Sequence, residues 1–171
     1  MGIGGHEEPG VVRDVDAQNT LFRSLYVELR RFAAVVAPQE MDPDDLLQEA
    51  LSRTLAVHAL TELDNAAGYL RDVMVRVASN ERRRLGRHRR AVRRVVVTEN
   101  VDLPTYPSDA VGLDGLDPLD RAVLYLTVVE DLPIDVAARM LRRTPAALRM
   151  RKHRALRAVR RALEQETSDD V

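Results

Sequence analysis

The stretch Leu132–Ala162, LPIDVAARMLRRTPAALRMRKHRALRAVRRA, decides how the rest of the chain is read. It divides into two helices with a tight turn between them. The first is short, about Ile134 to Leu141. Thr144 then offers a hydroxyl to cap a second helix, and Pro145 sits at its first position, where a missing N–H costs nothing. Ala146, Ala147 and Leu148 favour helix, and nothing breaks it before Leu163. From Arg139 to Arg161 there are ten basic residues and no acidic one. Arginines that merely keep a helix soluble usually come with glutamates. A capped, wholly basic helix behind a short apolar one is what a helix-turn-helix needs to enter the major groove of DNA.

The net charge of −1 over 171 residues hides strong segregation. Arg71 to Arg94 holds ten arginines against only Asp72 and Glu81, so two blocks carry 20 of the 26 basic residues. Two basic blocks in an otherwise acidic chain predict two contacts with a polyanion and a further surface for a basic or neutral partner. There are no cysteines, which excludes disulfides and thiolate metal sites and fits a reducing cytoplasm. His6, His58, His88 and His153 show no ligand spacing, so neither a metal nor a cofactor is expected. No apolar run approaches the ~18 residues of a membrane span, and no signal-peptide core is present. Neither a phosphate-binding glycine loop nor a nucleophile–base pair is visible, and no enzyme is expected. The serines, among them Ser24, Ser52 and Ser79, have no organised arginine or carboxylate partners of the kind a recombinase would need.

Taken in order, the chain reads as all-α, with two small helical domains joined by a flexible linker. Residues 1–16 form a disordered N-terminal segment. A first domain spans 17–91, and in it Leu21, Leu25, Leu29, Phe32 and Val36 recur at helical spacing up to Pro38. Asp42 and Pro43 start the next helix, with Asp44 and Asp45 favouring its positive end. Leu46, Leu47, Ala50, Leu51, Thr54 and Leu55 mark its apolar side, while Asp45, Gln48, Glu49, Ser52 and Arg53 lie largely opposite. By spacing alone that polar side reads as solvated. After a turn at Thr61–Asn65, a third helix runs from about Ala66 to Arg84 or beyond, with Leu70, Val73 and Val77 inside. Residues 92–115 are rich in Pro, Gly and acids and are expected to tether the domains without packing them. The second domain, 116–163, opens at Asp117-Pro118, with Leu119, Val123, Leu126 and Val128 or Val129 facing its core. An acidic tail, 164–171, is expected to fray.

Together these segments resemble the extracytoplasmic-function RNA polymerase sigma factors of the sigma-70 family, with the actinobacterial SigE-like group as the expected branch. Asp45-Leu46-Leu47-Gln48-Glu49-Ala50-Leu51-Ser52-Arg53 is similar to the family's DLVQEAFLR helix. Tyr69-Leu70-Arg71 runs into Arg82-Arg83-Arg84 as in its third helix. Leu116-Asp117-Pro118-Leu119-Asp120-Arg121 is similar to LPPREREVL, and the helix-turn-helix to LSYEEIAELLGISEGTVKSRLHRAR. The match covers roughly 19–91 and 113–163. There are departures. Arg142 and Arg143 stand where the family often has Gly and an aliphatic residue. Lys152 replaces an apolar residue, Arg76 the usual Asn, Asn80 the usual Asp, and Tyr69 the usual Trp.

The resemblance implies sigma2-like and sigma4-like domains, core RNA polymerase and promoter DNA as partners, and an anti-sigma factor as a further one. Asp45, Gln48, Glu49 and Arg53 would bind the coiled coil of the polymerase's largest subunit. Arg76, Asn80, Arg83 and Arg84 would meet the −10 element, with single-strand capture falling to the loop 61–65 and Tyr69. Arg143, Thr144, Ala147, Arg149, Met150, Arg151, His153 and Arg154 would read the −35 element. The rival reading is a stand-alone helix-turn-helix regulator, which leaves the second arginine block beside an acidic helix without a use.

Overall fold

The protein is described by a computed structural model covering residues 9–92, 113 and 115–169. Six α-helices account for nearly all of it: α1 Pro9–Val36, α2 Pro43–Leu55, α3 Ala66–Val92, α4 Pro118–Leu124, α5 Ile134–Met140 and α6 Pro145–Asp169. A 3-10 turn, Leu60–Glu62, precedes α3, and a π-helical turn, Tyr125–Val129, prolongs α4.

A recurring device starts the helices. The Asp42 carboxylate accepts from the Asp44 N–H at 2.7 Å and the Asp117 carboxylate from the Leu119 N–H at 2.9 Å. The Thr144 hydroxyl accepts from the Ala147 N–H at 3.2 Å. Each cap is followed by a proline that has no N–H to leave unpaired. At α3 the Asn65 side chain accepts from the Gly68 N–H at 2.8 Å. A Cβ on Gly68 would come within 2.6 Å of that same side chain, so the cap requires glycine there.

Two boundaries differ from the sequence reading. Helix α1 begins at Pro9, so residues 9–16 are helical where a disordered segment was expected, while 1–8 lie outside the described residues. Pro9 suits a first helical turn, and no breaker separates it from the amphipathic stretch. At the other end α6 continues through the acidic tail to Asp169, since nothing after Pro145 interrupts it. The expected linker falls almost wholly on residues 93–112 and 114, outside the described set.

The larger correction concerns how the halves are related. Helices α1–α3 and α4–α6 do not stand apart: α4 packs on α1 and α3, and α5 on α3. Leu29, Phe32 and Val36 of α1, Leu46, Leu47 and Ala50 of α2, and Leu70, Met74 and Val77 of α3 join Leu119, Val123, Leu126, Leu141 and Leu148 in one buried cluster. The rings of Phe32 and Tyr125 meet edge to face across the joint, 5.8 Å apart at 72°. Three arginines seal it. Arg71 of α3 is 1 % exposed and bridges Glu28 of α1 and Glu130 after the π turn, each at 2.7 Å, with its guanidinium 5.4 Å from the Phe32 ring centre. Arg121 of α4, 4 % exposed, donates to the carbonyls of Val35 and Ala37 at the C-terminus of α1, where the helix dipole favours a cation. Arg82 of α3 donates to the carbonyls of Leu116 and Gly115. Domain packing here is apolar at the centre and arginine-capped at its edge.

Val128 and Val129 are a further correction. The Glu130 N–H donates to the Tyr125 carbonyl, a five-residue step that adds a residue to the turn and rotates both valines out, to 55 % and 69 % exposure. Asp131 then takes a left-handed conformation, φ 51°, which stops the helix.

Candidate polymerase and nucleic-acid interfaces

Helix α2 presents its polar side to a groove rather than to open solvent. Asp45, Gln48, Glu49, Ser52 and Arg53 form one wall, and Asn80, Glu81, Arg84 and Arg87 of α3 the other, around about 780 Å³. The adjacent acids of the α2 N-terminus divide the work. Asp44 is tied inward, accepting from Arg30 Nε at 3.0 Å and the Tyr26 hydroxyl at 3.1 Å, while Asp45 is left exposed at the groove. Arg53 pairs with Glu49 at 2.7 Å one turn back, and Arg84 with Glu81 at 2.7 Å. Both pairs are accessible to water and lightly held, so a partner can exchange them. The groove thus has one acidic lip and one basic lip, which suits a helical partner with charges of both signs.

The residues expected at the −10 element are not together. Arg84 lines the α2–α3 groove, Arg76 and Arg83 line a second cleft on the far side of α3, and Asn80 touches both. Arg76 pairs with Asp72 at 3.1 Å. Asp72 is itself buried, one carboxylate oxygen making no hydrogen bond among the described residues. Burial raises its pKa above the ordinary carboxylate value, against the lowering pull of Arg76, Arg143 and Arg142. Tyr69 is half-buried and packs edge to face on His58, ring centres 5.5 Å apart, so the 61–65 loop sits beside an aromatic pair.

In the helix-turn-helix, the turn closes as a Schellman motif. The Arg143 N–H reaches back to the Ala138 carbonyl at 2.9 Å and the Arg142 N–H to the Arg139 carbonyl at 3.2 Å. Arg142 takes the left-handed position at φ 51°, a strain of about 1 kcal/mol that glycine would avoid. Leu148 and Ala155 point inward and bury, which turns Arg149, Met150, His153 and Arg154 outward together. Met150 is 63 % exposed, an unusual fate for a methionine. Arg149 pairs loosely with Asp135 across the turn at 3.3 Å. Arg151 departs from the outward set: it lies at the side of α6, half-buried, and pairs with Asp120 of α4 at 2.7 Å. Thr144 and Ala147 share the N-cap bond at the tip, and Arg143 lines the second cleft beside them.

Arg71, Arg82 and Arg121 are the residues that reading by composition missed. The arginine block that composition assigns to a polyanion includes Arg71 and Arg82, yet both are spent on the joint between the domains. The signal for Arg71 was present, since it falls on the same helical face as Met74, Val75 and Ala78, all buried.

No helix among the described residues is long and apolar enough to cross a membrane, and no group of three or more His, Asp or Glu that could hold a metal occurs among them. Residues 112–159 match the sigma-70, region 4 family, a span that takes in the whole turn and most of α6. Among solved structures, the chain is similar to the sigma factor RpoE from Bartonella quintana, solved in a co-crystal with the anti-sigma factor NepR. The TM-score is 0.60 and the identity 18 %, over 85 % of this chain and 96 % of that one. No curated protein matches the sequence. Over residues 112–159 the chain matches sigma-70 region 4 by sequence, and over 85 % of its length it shares the fold of that solved sigma factor. Neither finding assigns it to the actinobacterial SigE-like branch.

Proposed function

We propose that this chain works as an extracytoplasmic-function sigma factor through three separate surfaces. The α2–α3 groove, with Asp45, Gln48, Glu49 and Arg53 on its wall, docks the coiled coil of the polymerase's largest subunit. Arg76, Asn80, Arg83 and Arg84 on α3 meet the −10 element. The tip and outer face of the turn and α6, from Arg143 and Thr144 through Ala147, Arg149, Met150 and Arg151 to His153 and Arg154, engage the −35 element. The observation that carries the reading is a region 4 match lying on a properly capped helix-turn-helix within a sigma-factor fold. The chain performs no covalent chemistry and works in the cytoplasm, where the polymerase is. An anti-sigma factor is a further partner, the matched RpoE having been crystallised with one.

The packed arrangement has to open for this work. Elements named for positions −10 and −35 lie some 25 base pairs apart, on the order of 80 Å at ~3.4 Å per pair. Arg83 and Arg143 line a single cleft, so α3 and α5–α6 cannot serve both elements while closed. The test is transcription in vitro by core polymerase on the promoter upstream of the chain's own gene. The expected result is a discrete start that depends on the protein. Tight promoter binding by the protein alone, with no effect on polymerase, would identify a stand-alone regulator.

A further inference from the structure

The second cleft is built from both domains. It encloses about 360 Å³ between Arg76, Asn80 and Arg83 of α3 and Asp117, Arg143 and Arg151 of the α4–α6 half. Four arginines therefore line one space together with a single acidic residue. That carboxylate is already committed, because Asp117 caps α4. The other nearby acids sit behind the walls. Asp72 holds Arg76 from within α3, and Asp120 holds Arg151 from α4. These pairs fix the arginine stems without filling the cleft. Among the described residues, Arg83 and Arg143 hydrogen-bond only neutral oxygens, the Asn80 amide at 3.4 Å and the Arg142 carbonyl at 3.0 Å.

Closing the domains brings Arg83 and Arg143 into the same cleft as Arg76 and Arg151, and Asp72, Asp117 and Asp120 offset only part of the four positive charges, so an added anion would favour closure further. A planar guanidinium fork matches phosphate oxygens in pairs. The volume is at the small end of ligand sites, ~300–1,000 Å³, and far below what a DNA duplex would need. We propose that the cleft between α3 and the α5–α6 turn binds a small oligophosphate, free or as the polyphosphate of a nucleotide, and that the bound anion holds the two domains closed. Half of the site belongs to each domain, so the ligand binds the closed form better and shifts the population toward it. The site rests on the closed packing alone. Only its consequence, competition with promoter DNA for Arg83 and Arg143, rests on the sigma-factor reading.

The experiment needs neither polymerase nor promoter, so its failure and that of the proposed function are distinguishable. Titration calorimetry on the full chain with inorganic tripolyphosphate should give saturable binding of one per chain. Arg83→Ala and Arg143→Ala should each weaken it at least tenfold. Arg157→Ala and Arg160→Ala, equally exposed but outside the cleft, should change it less than twofold. A parallel titration with ATP identifies the source: tighter binding than tripolyphosphate marks a nucleotide, equal binding marks the phosphate chain alone. Since the chain has no cysteine, dyes at Asp64→Cys and Leu163→Cys report closure. Energy transfer between them should rise with tripolyphosphate, and not in Arg143→Ala. Binding without saturation, or lost equally in all four variants, overturns the site. Stoichiometric binding with unchanged transfer overturns the closure.

Discussion

The two arginine blocks carry the same ten positive charges and meet opposite fates. On α6, Arg149, Arg154, Arg157, Arg160 and Arg161 all stay at the surface. On α3, Arg71 is entombed, Arg82 is spent on the carbonyls at the start of the second domain, Arg76 and Arg83 face a cleft, and Arg84 a groove. The difference comes from what packs against each helix. Only the face carrying Leu148 and Ala155 buries on α6, and few arginines fall on it. Helix α3 is flanked by α1, α2, α4 and α5, which bury every residue from Arg71 to Val75, while Arg76, Arg83 and Arg84 further along keep exposed side chains. Charge in a sequence marks a polyanion surface only on a helix that has a free side.

Arg71→Ala breaks the comparison hardest. It strands Glu28 and Glu130 and empties a buried volume. About 3 kcal/mol of unfolding free energy should be lost in urea melts, the lower end for a buried pair because both carboxylates keep some water. Arg157→Ala on α6 should stay within about 0.5 kcal/mol. Equal effects would mean that the α3 block is a surface after all.

Next in size is the groove. Asp45→Arg combined with Glu49→Arg should remove co-purification with core polymerase, a loss of at least ~100-fold or about 2.7 kcal/mol. Helicity and urea midpoint should hold near wild type, since Asp45 is exposed and Glu49 half-buried on the groove wall. Unimpaired pull-down by the folded double variant would move docking elsewhere.

Within α6, Arg154→Ala should cost about 1–3 kcal/mol of discrimination at one −35 position, as for an arginine paired with guanine. Arg161→Ala should weaken all DNA alike or do nothing. Transcription from single-base −35 variants reads both, and a changed ranking with Arg161→Ala alone would misplace the helix in the groove.

The smallest effect is at Asp72. Its pKa is raised in the folded state, chiefly by burial, so the native protein binds that proton more tightly than the unfolded chain does. The resulting cost is absent below the ordinary value of 3.8 and fully present above the raised one. Asp72→Asn should therefore raise the melting temperature slightly at neutral pH, and the gain should vanish as the pH falls toward 3.8. A loss of stability at neutral pH, in place of the gain, would show that the Arg76 pair, not burial, governs this carboxylate.

Most of the fold was legible because its signals are local. Asp42-Pro43, Asp117-Pro118 and Thr144-Pro145 announce three helices by caps that need no tertiary context. Leu29, Phe32, Leu70 and Met74 reveal buried faces by spacing. The joint was not legible, because Arg71, Arg82 and Arg121 look like surface residues until the carbonyls and carboxylates that receive them are placed, some of them far along the chain. Of the candidate residues, α2's four emerged on one wall as the pattern implied. The −10 set was divided because helical periodicity gives a direction around α3 but not what stands there.

The π turn at Tyr125–Val129 carries a consequence for insertions and deletions. One residue more than an α-helix requires is held in that turn, and it sets the direction in which everything after it leaves α4. Removing a single residue there would let the helix close in ordinary register. Each α-helical residue accounts for about 100° of rotation at 3.6 per turn. The chain beyond would swing round by about that angle, and α6 would no longer find Leu148 and Ala155 their places against α4 and α5. In a library of single-codon deletions this turn should be a silent-looking stretch of apolar sequence in which loss of one codon is as damaging as loss of a helix, while deletions in the last turn of α6 pass unnoticed.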